Sequence, residues 1–529
     1  MQNTEIDGIN YYLPESITDV QQLVKLARQQ KTQIRITGAR HSVPASIYPD
    51  QQTPNKQQGI FVMLSKMNKV VIDKATKTVV VDAGCHLGYD PFDPTGTSTW
   101  KNSLFAQLDD NGFAVPDMGG IIHQTVGGFL STGSSGGSTQ FSFNECLQSL
   151  TFIPADSDDP QPVTVSINDP NTDLFYAAGV SMGLLGIIVS ATFSLVEKFN
   201  IIGTETITSI LNCAIDMTGN GVSGKTSLQD FLTKTQYSRL LWYPQPNVSR
   251  VTVWQANQLE PGAPFSRQPY EELQPILGSE LLPQVAADLV YSAFGQWPNW
   301  LGKMLGTNTS AYKMITEYVD QNFYNTIFPE ILPAFVTEDV DNKSHPGQPQ
   351  KFEDFWYSSL PMDNNISDKL FPVEFTELWI PFDETGSTDK VAQVLQALNK
   401  LFSSLYQNPE LPIAAGAFCT ELYAAKKSNF WMSPAYDTNV FRVDVFWFGN
   451  NIGSPSDNYY PLYWNALQEF DFRCHWGKYL PAADSAQGAA YLQKQYPKWK
   501  EFLQFREKFD PLQIFVSDYW REHLNIAAT

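Results

Sequence analysis

The chain has 529 residues, 43% of them apolar and only 17% charged, which excludes a mostly disordered polymer. With 55 acidic against 35 basic side chains it carries a formal charge of −20, a sign that repels phosphate backbones, so no nucleic-acid partner is expected. At about 150 residues per domain the length predicts two or three domains. No stretch approaches the roughly 18 apolar residues of a membrane helix, so no membrane span is expected. The opening MQNTEIDGINYYLPES has neither the basic nor the apolar region of a secretion leader. A cytoplasmic location is therefore expected, with export in folded form as the other route.

Ser16-Ile17-Thr18-Asp19 reads as a helix start, followed by Val20, Leu23, Val24 and Ala27 at helical spacing. Short β-type runs follow at 33–36 and 60–64, and 69–72 with 78–81 flank a polar turn in the manner of a hairpin. Residues 119–138, GGIIHQTVGGFLSTGSSGGS, hold seven glycines and six hydroxyl side chains. Gly183-Leu184-Leu185-Gly186 then leads into a buried-strand pattern at 187–193. From about residue 205 to 475 the chain is richer in Trp, Tyr and Pro, and 261–275 and 339–354 read as surface insertions. The last 35 residues return to a helical pattern before KFDPLQIFVSDYW. Cys85, Cys146, Cys213, Cys419 and Cys474 are scattered and form no C-x-x-C pair, which disfavours both a disulfide framework and a zinc site.

Glycines let backbone N–H groups turn toward an anion because no Cβ blocks the approach. The 119–138 segment therefore reads as a pyrophosphate binder, with hydroxyls of Ser131, Thr132, Ser134 and Ser135 as further donors, or as an ordinary surface loop. A second element, Arg35-Ile36-Thr37-Gly38-Ala39-Arg40-His41-Ser42, ends a strand and presents a histidine on a glycine turn. Alone, such a histidine is more often an ordinary polar residue.

In combination, R-x-x-G-x-x-H-S, the Gly/Ser/Thr segment some 80 residues later and G-x-L-G-I-I-V resemble the flavin-binding domain of the vanillyl-alcohol oxidase / p-cresol methylhydroxylase superfamily. The resemblance continues through Glu377-Leu378-Trp379-Ile380-Pro381, Glu421-Leu422-Tyr423, Ser433-Pro434-Ala435-Tyr436, Cys474-His475-Trp476-Gly477-Lys478 and Phe509-Asp510-Pro511, which look like motifs of aldonolactone and alditol oxidases. Leu241-Trp242-Tyr243-Pro244 with Trp254 is similar to the sterol oxidases of the same superfamily.

The resemblance implies an α+β fold in two parts. A PCMH-type FAD-binding domain would span 1–204, an α+β substrate or cap domain 205–478, and a segment 479–529 would return to the first. It implies FAD bonded covalently through His41 and gripped by Thr37, Gly38, Ala39, Arg40, Ser42, Gly119, Gly120, Thr125, Gly128, Ser131, Thr132, Gly133, Ser134, Gly137 and Ile188. It places catalysis on Glu421, Lys478, His475 and Tyr423 and substrate contact on Glu377 and Trp379. The implied activity is oxidation of a CH–OH group of a small-molecule alcohol, sugar or lactone, with oxygen as acceptor giving hydrogen peroxide; a flavoprotein dehydrogenase of a sterol or other apolar alcohol, using another acceptor, is the alternative.

Tyr423 departs from the family pattern, which has arginine there. A phenol keeps a donor but loses a fixed positive charge and a fork, so a less polar alcohol gains ground. His86 and His123 have no metal spacing, and six histidines give no H-x-x-x-H pair, so no metal is expected. Cys85 reads as a structural thiol. Gly219-Asn220-Gly221-Val222-Ser223-Gly224-Lys225-Thr226 satisfies G-x-x-x-x-G-K-(S/T), yet the run before it is short and acidic, and a polar loop is the better reading. A cofactor-free binding protein on a flavin-type fold is the remaining non-enzyme alternative.

Overall fold

The computed structural model describes residues 2–50, 52, 53, 56, 57, 59–245, 248–272, 285, 289, 300–322, 339–341, 347–361, 373–383, 389–407, 417–449 and 454–528. The sequence reading at 273–275 and 342–346 lies outside them.

Two sheets build the first part of the chain. A four-stranded sheet runs Gln2–Ile6, Ile9–Leu13, Ile60–Val62, Ile34–Ile36, and a five-stranded sheet runs Val163–Ser166, Leu147–Ile153, Ile187–Ser194, Thr78–Asp82, Val70–Asp73. The helix Ile17–Gln30 starts where Ser16 accepts the Asp19 N–H, and it buries Val20, Leu23, Val24 and Ala27. The C-terminal segment closes on this part. The Ile34 N–H donates to the Ile514 carbonyl at 2.8 Å, and the Trp520 indole N–H to the Ser46 carbonyl at 2.9 Å. The buried Arg35 guanidinium bridges the carbonyls of Phe515, Ser46 and Met182.

Among the described residues a third sheet has eight strands, in the order Gln350–Phe355, Asn200–Ser209, Arg250–Gln258, Tyr237–Tyr243, Ala417–Ala425, Val440–Phe448, Val373–Pro381, Arg473–Cys474. Its central strands alternate between two covered faces. Trp242 packs edge-on against Phe402 of the helix Lys390–Gln407, while the neighbouring Leu241 faces a cavity. Glu421 is therefore buried, as is every residue of Ala417–Ala425.

Two segments differ from expectation. The 119–138 stretch contains a helix, Val126–Thr132, capped by the Thr125 hydroxyl and ended by Gly133 at φ 73°. Its glycines sit there because the chain passes close to other backbone: a Cβ on Gly127 would lie 3.1 Å from the Ala83 carbonyl oxygen. Residues read as part of a surface insertion form the edge strand Gln350–Phe355, whose Asp354 is fully buried and paired with Arg267 at 2.7 Å. Hydrophobic cross-strand contacts hold it there, and periodicity is too weak to show in a segment that opens with so many turn residues.

Candidate active site

Two cavities meet under the Gly/Ser/Thr ribbon. One, of about 120 Å³, lies between the strand ends of the first part and is walled by the turn Thr37–Ser42, by Thr125, Gly128, Ser131 and Thr132, and by Ile188. Backbone approaches closely here: a Cβ on Gly38 would lie 2.6 Å from the Thr125 hydroxyl, and Arg40 holds φ 65°, in the left-handed region. Such a cradle fits a dinucleotide whose phosphates need near backbone N–H groups. The hydroxyl protons of Ser131 and Thr132 donate to the Gly127 and Gly128 carbonyls, so phosphate binding falls to the amides more than to these side chains. His41 lines this cavity, its ring 5.8 Å from that of His123. His86 lies against Asp90 at 3.6 Å, with burial lowering its pKa. Cys85 is a buried thiol pushed up to about 12 by burial.

The other cavity, of about 180 Å³, lies on the face of the eight-stranded sheet opposite the helix Lys390–Gln407. It is lined by Gly119, Gly120 and Ser134 from the ribbon and by Glu377, Glu421, Tyr423, His475 and Lys478. Gln124 lines both cavities. Trp379 lines neither: it is fully buried, and its indole N–H donates to Glu377 at 2.9 Å. Gly133 caps the helix, and Gly137 bonds to Ser238, so that a Cβ there would meet the Ser238 carbonyl oxygen at 2.6 Å.

Sequence reasoning missed the centre of this site, Arg442. Strand register sets Arg442 opposite both Tyr423 and Trp379, and its guanidinium lies 3.9 Å and 4.1 Å from the two ring centres. It donates to Glu377 at 2.7 Å, to Asp444 at 2.8 Å and to the Ser135 carbonyl at 3.0 Å. Tyr423 donates its phenol proton to Asp444 at 3.0 Å. The neighbouring strand thus sets a cation against Tyr423, and the inference toward a less polar substrate loses its premise. Burial raises Asp444 well above the carboxylate range against the pull of Arg442. For Glu377, burial is outweighed by His475, Arg442 and Lys478, and its pKa falls. Glu377 therefore carries the charge that balances Arg442. Burial lifts Glu421 to about 7, with Arg442 and Arg239 pulling the other way.

His475 is held by both ring nitrogens. The Gly477 N–H donates to Nδ1 at 3.1 Å, so the proton sits on Nε2 and is directed at the Ser134 hydroxyl, 3.1 Å away. Burial depresses its pKa to about 4, which keeps the ring neutral. Lys478 donates to the His41 carbonyl at 3.2 Å and lies 3.7 Å from the Phe375 ring centre, tying the two cavities together.

The glycine-lysine motif at 219–226 has other work. The Gly221 and Val222 amides donate to Asp216, and Lys225 donates to the carbonyls of Ile210 and Leu211. The amides and ammonium that would hold a phosphate are spent on the loop itself.

A profile described as FAD binding domain matches residues 10–89, and one described as D-arabinono-1,4-lactone oxidase matches residues 370–523. L-gulonolactone oxidase of Mus musculus is 24% identical over 523 residues, covering 96% of this chain and 93% of its own. D-arabinono-1,4-lactone oxidase of Kluyveromyces lactis is 23% identical, with 96% and 92% covered. The cholesterol oxidase structure from B. sterolicum superposes with a TM-score of 0.67 at 12% identity, covering 98% of this chain and 94% of that one. These matches, with the shared fold, support a likeness to the FAD-linked oxidases of the vanillyl-alcohol oxidase / p-cresol methylhydroxylase superfamily. The chain is an FAD-dependent oxidoreductase of the two-part α+β fold of that superfamily. Among the described residues no helix is long and apolar enough to cross a membrane, and no group of three or more candidate ligands could hold a metal ion.

Proposed function

We propose that this protein oxidises a CH–OH group of a hydroxylated sugar lactone or polyol, with FAD tethered through His41 and oxygen as the electron acceptor, giving hydrogen peroxide. The observation that carries the reading is the Glu421 carboxyl, buried in the cavity between two arginines with a pKa lifted to about 7 by burial. A base poised near the working pH is what proton removal from an alcohol needs. When bound, the flavin supplies the hydride acceptor.

Glu421 takes the substrate's hydroxyl proton. Arg442, held by Glu377 and stacked between Tyr423 and Trp379, keeps a fixed cation beside that proton transfer. Neutral His475 fixes the Ser134 hydroxyl at the junction of the cavities. Lys478 holds the His41 loop against the cavity wall. In domain terms, 1–204 with 479–529 would hold the cofactor and 205–478 the substrate.

Ionisable side chains from Glu205, Arg239, Glu377, Glu421, Arg442 and Asp444 line the cavity, which favours a polyhydroxylated substrate. The matched relatives are named for lactones, in keeping with that. A sterol is the second reading, favoured by the cholesterol oxidase fold and by aromatic walls at Phe375, Phe418, Phe446 and Trp254. Anaerobic bleaching of the flavin with aldonolactones, polyols and sterols separates the two: bleaching by a sterol alone would overturn the first. Intact mass of wild type against His41→Ala tests the tether, and a wild-type mass equal to the bare polypeptide would remove it.

A further inference from the structure

The cavity has a second polar pole, remote from Glu421. Register sets Glu205, Trp254 and Arg239 in one row across three adjacent strands. The row is closed by Tyr270, from a segment whose sequence reads as a surface insertion. The Arg239 guanidinium lies 4.2 Å from the Trp254 ring centre and donates to the Tyr270 hydroxyl at 3.2 Å and to the Leu360 carbonyl at 3.0 Å. Tyr270 in turn donates to Oε1 of Glu205 at 3.1 Å. The phenol therefore stands between guanidinium and carboxyl.

Two atoms of this pole are left over. Oε2 of Glu205 and the indole Nε1 of Trp254 are buried and have no hydrogen-bond partner among the described residues, and both residues line the cavity. Glu205 is 3% exposed and Trp254 2%. Buried polar atoms normally find partners, and each one left alone costs free energy. One orphan is an acceptor and the other a donor, which is the complement of a single hydroxyl group. Stacking of Trp254 on Phe352 at 5.6 Å and of Arg239 on its ring leaves the indole edge for the ligand.

Resting on the function proposed above, we infer that Glu205 and Trp254, braced by Arg239 and Tyr270, form a subsite for the hydroxyl at the end of the substrate remote from the oxidised carbon. The burial that lifts Glu205 to about 7 suits a neutral hydroxylated ligand. Glu205 and Glu421 are three strands apart, about 14 Å, and offset by two residues along the strands, which makes the diagonal roughly 16 Å. That separation, measured between backbones, sets the Glu205 pole well apart from Glu421. The subsite thus selects a substrate hydroxylated at the end remote from the oxidised carbon over one lacking that hydroxyl.

The test measures kcat/KM by anaerobic flavin reduction with a hexono-1,4-lactone and its 6-deoxy analogue, in wild type, Glu205→Ala and Trp254→Phe. The wild type is expected to prefer the hydroxylated compound about ten- to hundredfold, the cost of leaving buried polar atoms unpaired. In each variant the ratio falls toward one, while the flavin spectrum reports an intact fold. An unchanged ratio in both variants, or no preference in wild type, overturns the subsite and leaves the proposed function standing. Absence of reduction by any lactone or polyol in wild type overturns the proposed function, and the subsite with it.

Discussion

Arg442 and Tyr423 are cross-strand partners, and the guanidinium lies over the phenol ring with 3.9 Å between Cζ and the ring centre. Stacking of this kind is worth more where water is excluded, and both residues are buried. One cation thereby serves three neighbours: the ring, Glu377 and Asp444. Arg442→Met removes the partner of a buried carboxylate and is expected to destabilise the fold by about 3–5 kcal/mol. Arg442→Lys keeps the charge without the fork and should fold, yet slow flavin reduction by about 10²-fold. Stopped-flow reduction and chemical denaturation check the pair of outcomes; a lysine variant as fast as wild type would show that the fork is dispensable.

Glu421 acts as a base only when ionised. Burial raises it from the ordinary 4.5 to about 7, so its active fraction grows as pH rises through that value. The rate of anaerobic flavin reduction is expected to climb with pH and level off above about 7. Glu421→Gln should lower the plateau by about 10²–10⁴-fold and flatten the profile. A profile that keeps its midpoint in Glu421→Gln would assign the titration to another group.

Local patterns were legible and cross-strand partners were not. The helix Ile17–Gln30 and the hairpin Val70–Asp73 with Thr78–Asp82 depend on neighbours a few residues apart, and spacing shows them. Arg442 meets Tyr423 only because two strands pair in one register, which no spacing within either strand reveals. A signal did exist: VFRVDVFWF places two charges in an otherwise apolar strand, and charges buried in such a run must be paired. Arg239 within YSRLLWY carries the same mark. The helix in the glycine ribbon was hidden because Val126–Thr132 includes two glycines, poor helix formers, and it is held by the Thr125 cap and by packing of Val126, Phe129 and Leu130.

The loop at 219–226 offers a negative control. Lys225 donates to the carbonyls of Ile210 and Leu211, and the amides of Gly221 and Val222 are bonded to Asp216. Lys225→Ala is expected to change stability by no more than about 1 kcal/mol and to leave flavin content and reduction unchanged. Magnesium ATP should not raise the melting temperature of either protein. A rise in wild type that vanishes in Lys225→Ala would restore the phosphate-binding reading.

Glu205 ties stability to pH with a defined sign. Burial raises its pKa from 4.5 to about 7, so the folded state binds its proton more tightly than the unfolded chain does. The stability contributed in this way is fully present below about 4.5 and is lost as pH rises through about 7. Above that range the fold carries an ionised, half-satisfied carboxylate at a cost of roughly 2–4 kcal/mol. Glu205→Gln keeps the shape and the Tyr270 hydrogen bond but has no proton to lose. The variant should therefore match wild type at pH 5 and exceed it by about that amount at pH 8. Urea denaturation at the two pH values checks this, and parallel wild-type and variant profiles would show that Glu205 does not titrate between them.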